Sequence, residues 1–342
     1  MKSKILVMFL VIGLVLSLGA KKAMAVTMDD NVFGNAALAY WQASPGPRGL
    51  STIVSIVNTN ITKARYVKYI IRDECSRYLV NGCLMLTKGD VLPVRVHVRN
   101  SDLVLTNVET STDITTVIGL GISGEVRGYI EFTMWKNLDC TGENPNEMMV
   151  STTLMMCEEI IPRFPRFPRF PRFPRFPIQD RIQVGINAAM VQDWVDKNNN
   201  GEIDVAELPV FGTGWSRYRS RSNINGWLIT IFPGVFRDDC KYALKGNAWD
   251  EAENKVSFSV EVKEVAKTPI GPYQGTTPFI KIPGDVTAGA VQIDNVTSPM
   301  FGFILIEDTR HNDTYALPLF HNRLSSNPVP IPFSDWGDFL QK

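Results

Sequence analysis

Residues 196–207 read Asp-Lys-Asn-Asn-Asn-Gly-Glu-Ile-Asp-Val-Ala-Glu. Side-chain oxygens recur at Asp196, Asn198 and Asn200, then at Asp204 and Glu207. Hard oxygen donors at this spacing suit calcium, which gathers about six to eight such ligands in a flexible shell. Asp196, Asn198 and Asn200 are expected to give side-chain oxygens, and Glu202 its backbone carbonyl. Asp204 holds the position often served through water, and Glu207 is placed to close the shell as a bidentate ligand. Gly201 permits the left-handed turn, and Ile203 is the apolar residue that pins the loop to the fold.

These twelve residues resemble the loop of the EF-hand and dockerin families, and the resemblance covers only them. Ile186, Met190 and Trp194 follow at intervals of four, flanked by Val191 and Val195. That spacing predicts an apolar stripe on a short helix entering the loop. Pro209 directly after Leu208 biases Leu208 out of the α region and forbids a long exiting helix. No second loop of this kind is present in the sequence. A single loop with three carboxylates, Asp196, Asp204 and Glu207, implies a weak site that stiffens a domain in calcium-rich surroundings. Paired loops are what sensor proteins use to open a groove.

The N-terminus points to such surroundings. Lys2 and Lys4 precede an apolar run from Ile5 to Leu18, followed by Ala23-Met24-Ala25, a small-x-small cleavage pattern. Residues 1–25 therefore read as a signal peptide, with cleavage after Ala25. The mature chain is expected outside the cytoplasm, secreted, at the cell surface or in the periplasm. No later stretch is long and apolar enough to span a bilayer. The whole chain carries 35 basic and 35 acidic residues. Lys2, Lys4, Lys21 and Lys22 leave with the signal and five arginines lie in one repeat, so the remaining body has 26 basic against 35 acidic residues. An acidic body argues against nucleic acid as a partner.

Five cysteines, Cys75, Cys83, Cys140, Cys157 and Cys240, favour disulfides in an exported chain, with one left over. Cys75 with Cys83 is the first pair expected, across a short turn. Cys140 with Cys157 is the second, leaving Cys240 free, although Cys240 can replace a member of either pair. There is no CxxC spacing and only three histidines, His97, His311 and His321, so a zinc cluster or a Cys–His nucleophile has little support. The adjacent acids Asp73-Glu74, Glu158-Glu159 and Asp238-Asp239 point to opposite faces if they lie in strands, which makes them poor acid/base couples. No Gly-x-Ser-x-Gly elbow, phosphate loop or dinucleotide fingerprint occurs. Trp215, Tyr218 and Trp227 could form a sugar-stacking face, against a reading as core aromatics, and Arg217, Arg219 and Arg221 alternate beside them.

Residues 162–177 repeat Pro-Arg-Phe five times and end on Pro177. Proline at every third position forbids helix and favours polyproline II, whose three residues per turn would place arginines, phenylalanines and prolines on separate edges. Runs rich in Val, Ile, Tyr and Thr at 51–57, 65–72, 91–98, 103–108, 126–135, 227–232, 255–262, 279–282, 290–293, 301–307 and 314–319 read as strands. Their spacing, with Gly, Pro and Asn between, points to β-sandwiches. The expected fold is mainly β. Two sandwich-like domains, 26–160 and 179–342, would be joined by the repeat at 161–178 as a polyproline II linker, with one short helix entering the calcium loop. A single large sandwich with the repeat as an insertion is the alternative.

From Ala36 to Val94 the chain also resembles a module of uncharacterised secreted bacterial proteins. The likeness lies in Leu50-Ser-Thr-Ile-Val-Ser-Ile-Val-Asn-Thr59, the run 67–73 and Leu84-Met-Leu-Thr-Lys-Gly-Asp-Val91. It implies an exported β-domain and brings no catalytic residues. The leading expectation is a non-enzymatic, calcium-stabilised extracellular β-protein with a structural, adhesive or assembly role. Its partners would be calcium and another copy or another surface protein. The alternative is a carbohydrate-binding module or glycoside hydrolase with a structural calcium, for which polysaccharide is the partner.

Overall fold

The computed structural model describes residues 27–29, 33–46, 49–160, 178–208, 214–219, 224–234, 240–250, 254–271, 280, 288–294, 298–308 and 313–321. The signal segment and the Pro-Arg-Phe repeat lie outside them, as do Asp238-Asp239. The chain is mainly β, as its alternating runs imply, and every described sheet is antiparallel.

The first twelve strands are β1 (Thr27–Asp29), β2 (Ala36–Ala43), β3 (Ser51–Asn58), β4 (Arg65–Asp73), β5 (Tyr78–Leu86), β6 (Val91–Arg99), β7 (Asp102–Asn107), β8 (Asp113–Val117), β9 (Val126–Trp135), β10 (Met148–Ile160), β11 (Ile178–Asn187) and β12 (Ala189–Gln192). They form sheet 1, in the order β1-β12-β2-β9-β4-β5, and sheet 2, in the order β11-β10-β3-β6-β7-β8. The second half holds β13 (Gly214–Arg219), β14 (Ile224–Ile231), β15 (Lys241–Asp250), β16 (Lys255–Lys263), β17 (Val265–Ile270), β18 (Ala288–Ile293), β19 (Phe301–Asp308), β20 (Asp313–Pro318) and β21 (Phe320–His321). These make sheet 3, β17-β14-β19-β20, and sheet 4, β16-β15-β18-β13-β21. Of the run expected at 279–282, Ile280 is described, as an isolated bridge to Ile270.

Three apolar clusters separate the sheets. Ala37, Ala39, Trp41, Ile56, Val96 and Phe132 lie between sheets 1 and 2. Leu228, Leu244, Val291 and Ile304 lie between sheets 3 and 4. The remaining cluster joins the halves: Leu38, Tyr40 and Val191 of sheet 1 meet Ile229, Ile231, Phe301 and Phe303 of sheet 3. Tyr40 and Phe303 pack edge to face at 5.5 Å across it. Each such side chain contributes roughly 1.5–3 kcal/mol when buried, so the junction is a core in its own right. Sheet 1 is therefore covered on both faces, and all eight residues of β2 are buried.

Three expectations change. Residues 186–194 do not enter the loop as a helix: β11 pairs with β10, and β12 pairs with β1 and β2. A spacing of four is also two full strand periods, so the same apolar positions serve a ladder. Ile186 faces the junction core, whereas Met190 faces the core between sheets 1 and 2. Secondly, Ile160 and Ile178 are ladder partners, so the repeat closes a hairpin instead of linking domains. The strands beyond it complete sheets 1 and 2, and the boundary between halves moves past Leu208.

The third change is in the disulfides, which join Cys75 to Cys240 and Cys83 to Cys140, with Cα separations of 5.0 and 6.1 Å. Cys75 lies in the β4–β5 turn, whereas Cys83 stands opposite Lys68 well down the hairpin. At about 3.3 Å per residue that offset is far beyond the roughly 7 Å a disulfide tolerates. Cys75 instead reaches the second half, where Val265 N donates to Glu74 O at 2.9 Å and Lys263 pairs with Glu74.

Candidate functional site: the 196–207 loop

The loop lies against the face of sheet 1 turned away from sheet 2, held by two apolar anchors and a buried ionic floor. Trp194 and Ile203, each 2% exposed, insert into the junction core. Trp194 meets Trp135 edge to face at 6.2 Å, and Trp194 N–H donates to Asn35 Oδ1 at 2.9 Å. The floor comes from β4 and β9. Arg72 pairs with Glu131, which is 1% exposed, and also reaches Glu202 at 2.9 Å. Glu131 Oε2 accepts from Ile203 N at 3.3 Å, and Lys68 Nζ donates to Asn200 O at 3.0 Å.

From Arg72 the network continues towards the second half. Arg72 Nη1 donates to Ser76 O at 3.3 Å, and the Tyr129 hydroxyl donates to Ser76 Oγ at 3.1 Å. Gly234 N donates to the same hydroxyl at 3.0 Å. Burial pushes the Tyr129 hydroxyl well above its ordinary range. Burial likewise pushes the Glu131 carboxyl up, against the pull of Arg72, while the same contact raises Arg72 despite its own burial. The guanidinium stays charged throughout the ordinary pH range.

Within the loop, four of the expected residues come together. Asp196 accepts from Asn200 N at 3.2 Å and from Gly201 N at 2.7 Å. Asn198 Nδ2 and Asn200 Nδ2 both donate to Asp204 Oδ2, at 2.6 and 3.2 Å. Asn199 and Gly201 take φ of 60° and 70°, which bends the chain around these groups. A side chain at Gly201 would strain that backbone and meet Lys68 Nζ at 2.7 Å.

Two expected residues do something further. Glu202 turns its carboxylate to Arg72, leaving only its backbone carbonyl for a cation. Glu207 is 5% exposed; its Oε2 accepts from Trp194 Nε1 at 2.9 Å and Asp204 N at 3.3 Å, and its Oε1 from Lys197 N at 2.6 Å. It is the tie that closes the loop's ends. Bidentate ligation would require Oε2 to release one of its two donors. One 3-10 turn, Val205–Glu207, ends the loop, and Leu208 then extends at φ −91°, as a residue before proline should.

Among the described residues, no three His, Cys, Asp or Glu side chains are grouped to hold a metal ion. A cation here would depend on the amide oxygens of Asn198 and Asn200 beside Asp196 and Asp204. That all-oxygen donor set fits calcium and no softer metal. Sequence reasoning missed Lys68, Arg72 and Glu131. Glu131 carried a signal, as a single acid within the apolar strand 126–135.

Of the other candidates, Asp73 and Trp227 resolve into structure, and the side chains of Glu158, Glu159, Trp215 and Tyr218 lie outside those described. Asp73 Oδ1 accepts from Cys75 N and Arg77 N at 2.8 and 2.9 Å, ordering a turn. Trp227 donates its indole N–H to Glu307 at 3.1 Å and lies under Lys267, 4.7 Å from the ring centre. No protein-family model, curated protein or solved structure matches the chain.

Proposed function

We propose that this is an exported, extracellular or cell-surface β-protein with a structural or adhesive role, in which calcium at residues 196–207 stiffens the junction between two stacked sandwiches. Asp196, Asn198, Asn200, Asp204 and the Glu202 carbonyl would hold the ion, with Glu207 closing the loop from beneath. Calcium would neutralise the two inward carboxylates and fix the amides, with no chemical step. Two disulfides fit an oxidising compartment, and no described helix is long and apolar enough to cross a membrane.

The observation that carries the reading is that Trp194, just before the ligand run, and Ile203, within it, belong to the core shared by both halves. A loop anchored in this way has little room to swing, so calcium acts on stability and not as a switch. Binding only to the folded state adds about 2.7 kcal/mol at a hundredfold excess over Kd. Melting of the mature protein with calcium and with chelator tests this, together with terbium luminescence sensitised through Trp194. Calcium should raise the melting temperature and Asp196→Ala should abolish both the rise and the luminescence. Equal melting in calcium and chelator overturns the reading.

A further inference from the structure

The Asn200–Gly201 peptide is surrounded by groups that activate it. Asp196 Oδ2 lies 2.7 Å from Gly201 N, within reach to take its proton. Lys68 Nζ lies 3.0 Å from Asn200 O, the carbonyl conjugated to that nitrogen, so the ammonium stabilises the negative charge left when the proton departs. Glu202 N donates to Asn200 Oδ1 at 2.7 Å, where charge builds up if the side-chain amide is attacked. Asn200 Nδ2, the group that would leave, points to Asp204 Oδ2 at 3.2 Å. A base, an electrophilic cation and an oxyanion donor thus converge on one asparagine–glycine pair. Gly201 has no side chain to hinder ring closure.

We propose that Asn200 is a self-catalysed deamidation site. Gly201 N bonds to Asn200 Cγ, the Cγ–Nδ2 bond breaks, and Nδ2 leaves as ammonia carrying the proton lost from Gly201. Water then opens the cyclic imide. Opening at the side-chain carbonyl gives aspartate, and opening at the main-chain carbonyl gives isoaspartate. The reaction itself does not depend on the calcium reading; only its consequence rests on it. Aspartate adds a carboxylate to the ligand run, and affinity rises with ligand charge. Isoaspartate inserts a carbon into the backbone and ruins the spacing.

The chain supplies its own controls, because two more Asn-Gly pairs lie in strands: Asn81-Gly82 in β5 and Asn225-Gly226 in β14. Neither has a cation and a carboxylate placed on the two ends of its peptide among the described contacts. The mature protein is incubated with chelator, and each asparagine's conversion is followed by peptide mapping and mass spectrometry. Asn200 should convert roughly tenfold or more faster than Asn81 and Asn225. Lys68→Gln, on a half-buried side chain, should slow Asn200 several-fold and leave the other two unchanged. Conversion at Asn200 no faster than at the strand pairs, or unaffected by Lys68→Gln, overturns the proposal. A parallel arm with calcium separates the two readings: an ion bound to Asp196 and Asn200 should protect. Failure to protect counts against the metal loop and leaves the chelator result intact.

Discussion

Arg72 and Glu131 form an ion pair at the centre of sheet 1, with side chains 4% and 1% exposed, directly beneath the 196–207 loop. Two charges this deep are held by each other and by Glu202, Ser76 O and Ile203 N. Removing either partner takes the nearest counter-charge from the other in the core. Glu131→Leu or Arg72→Met alone should cost about 3–5 kcal/mol, while the paired replacement should cost much less. Denaturant unfolding of the three variants measures this, and an additive double variant would refute it.

Glu207 and Asp204 should separate the loop's structural work from its metal work. Glu207→Ala leaves Trp194 Nε1 and Lys197 N without an acceptor, at a cost of about 2–4 kcal/mol whether or not calcium is present. Asp204→Ala should remove only the calcium-dependent part of the stability. Melting both variants with calcium and with chelator checks this. Calcium-independent loss in Asp204→Ala matching that in Glu207→Ala would contradict it.

Glu147 links strand ends by accepting from Arg65 and from Asn60 Nδ2. Burial opposes its charge, but those two donors outweigh it and hold the carboxyl below its ordinary range. A depressed folded value means that the contribution is complete at neutral pH and fades as pH falls through that value. It should be lost from about pH 4 downward. Glu147→Gln should cost about 1 kcal/mol at pH 7 and should flatten the acid limb of a stability–pH curve. An unchanged acid limb would count against the assignment.

The two disulfides close loops of different length, with separations of 165 and 57 residues. On the chain-entropy account, removing Cys75–Cys240 should cost about 1 kcal/mol more than removing Cys83–Cys140. Paired serine replacements compared by denaturant unfolding give the difference. A larger loss at Cys83–Cys140 would mean that local packing, not chain entropy, dominates.

Because Ile160 and Ile178 are ladder partners, shortening the repeat changes only a hairpin connection. Deleting two Pro-Arg-Phe units should raise stability slightly, by about 0.4 kcal/mol, through cheaper loop closure. A loss of several kcal/mol would show that the repeat packs against the body.

What could be read from the sequence was what is local. The strand at 51–57 alternates one covered and one less covered face, and the structure extends it and the run at 301–307 by a single residue each. The clustering of Asp196, Asn198, Asn200 and Asp204 follows from spacing within nine residues. β2 escaped because both of its faces are buried, so Ala36–Ala43 shows no polar alternation. The run ending at Trp194 misled because four residues fit both periods. Lys68, Arg72, Glu131 and Cys240 reach their partners from far along the chain, where no local pattern points.

The full burial of β2 also constrains how this chain can be inherited. Its odd residues line one core and its even residues the other. One codon gained or lost there would exchange the two linings in a single event, and no point substitution could repair both. A slipped copy in the Pro-Arg-Phe tract, by contrast, falls outside every described ladder. The gene can therefore record length variation in one place while another, eight codons long, is fixed in frame and in number.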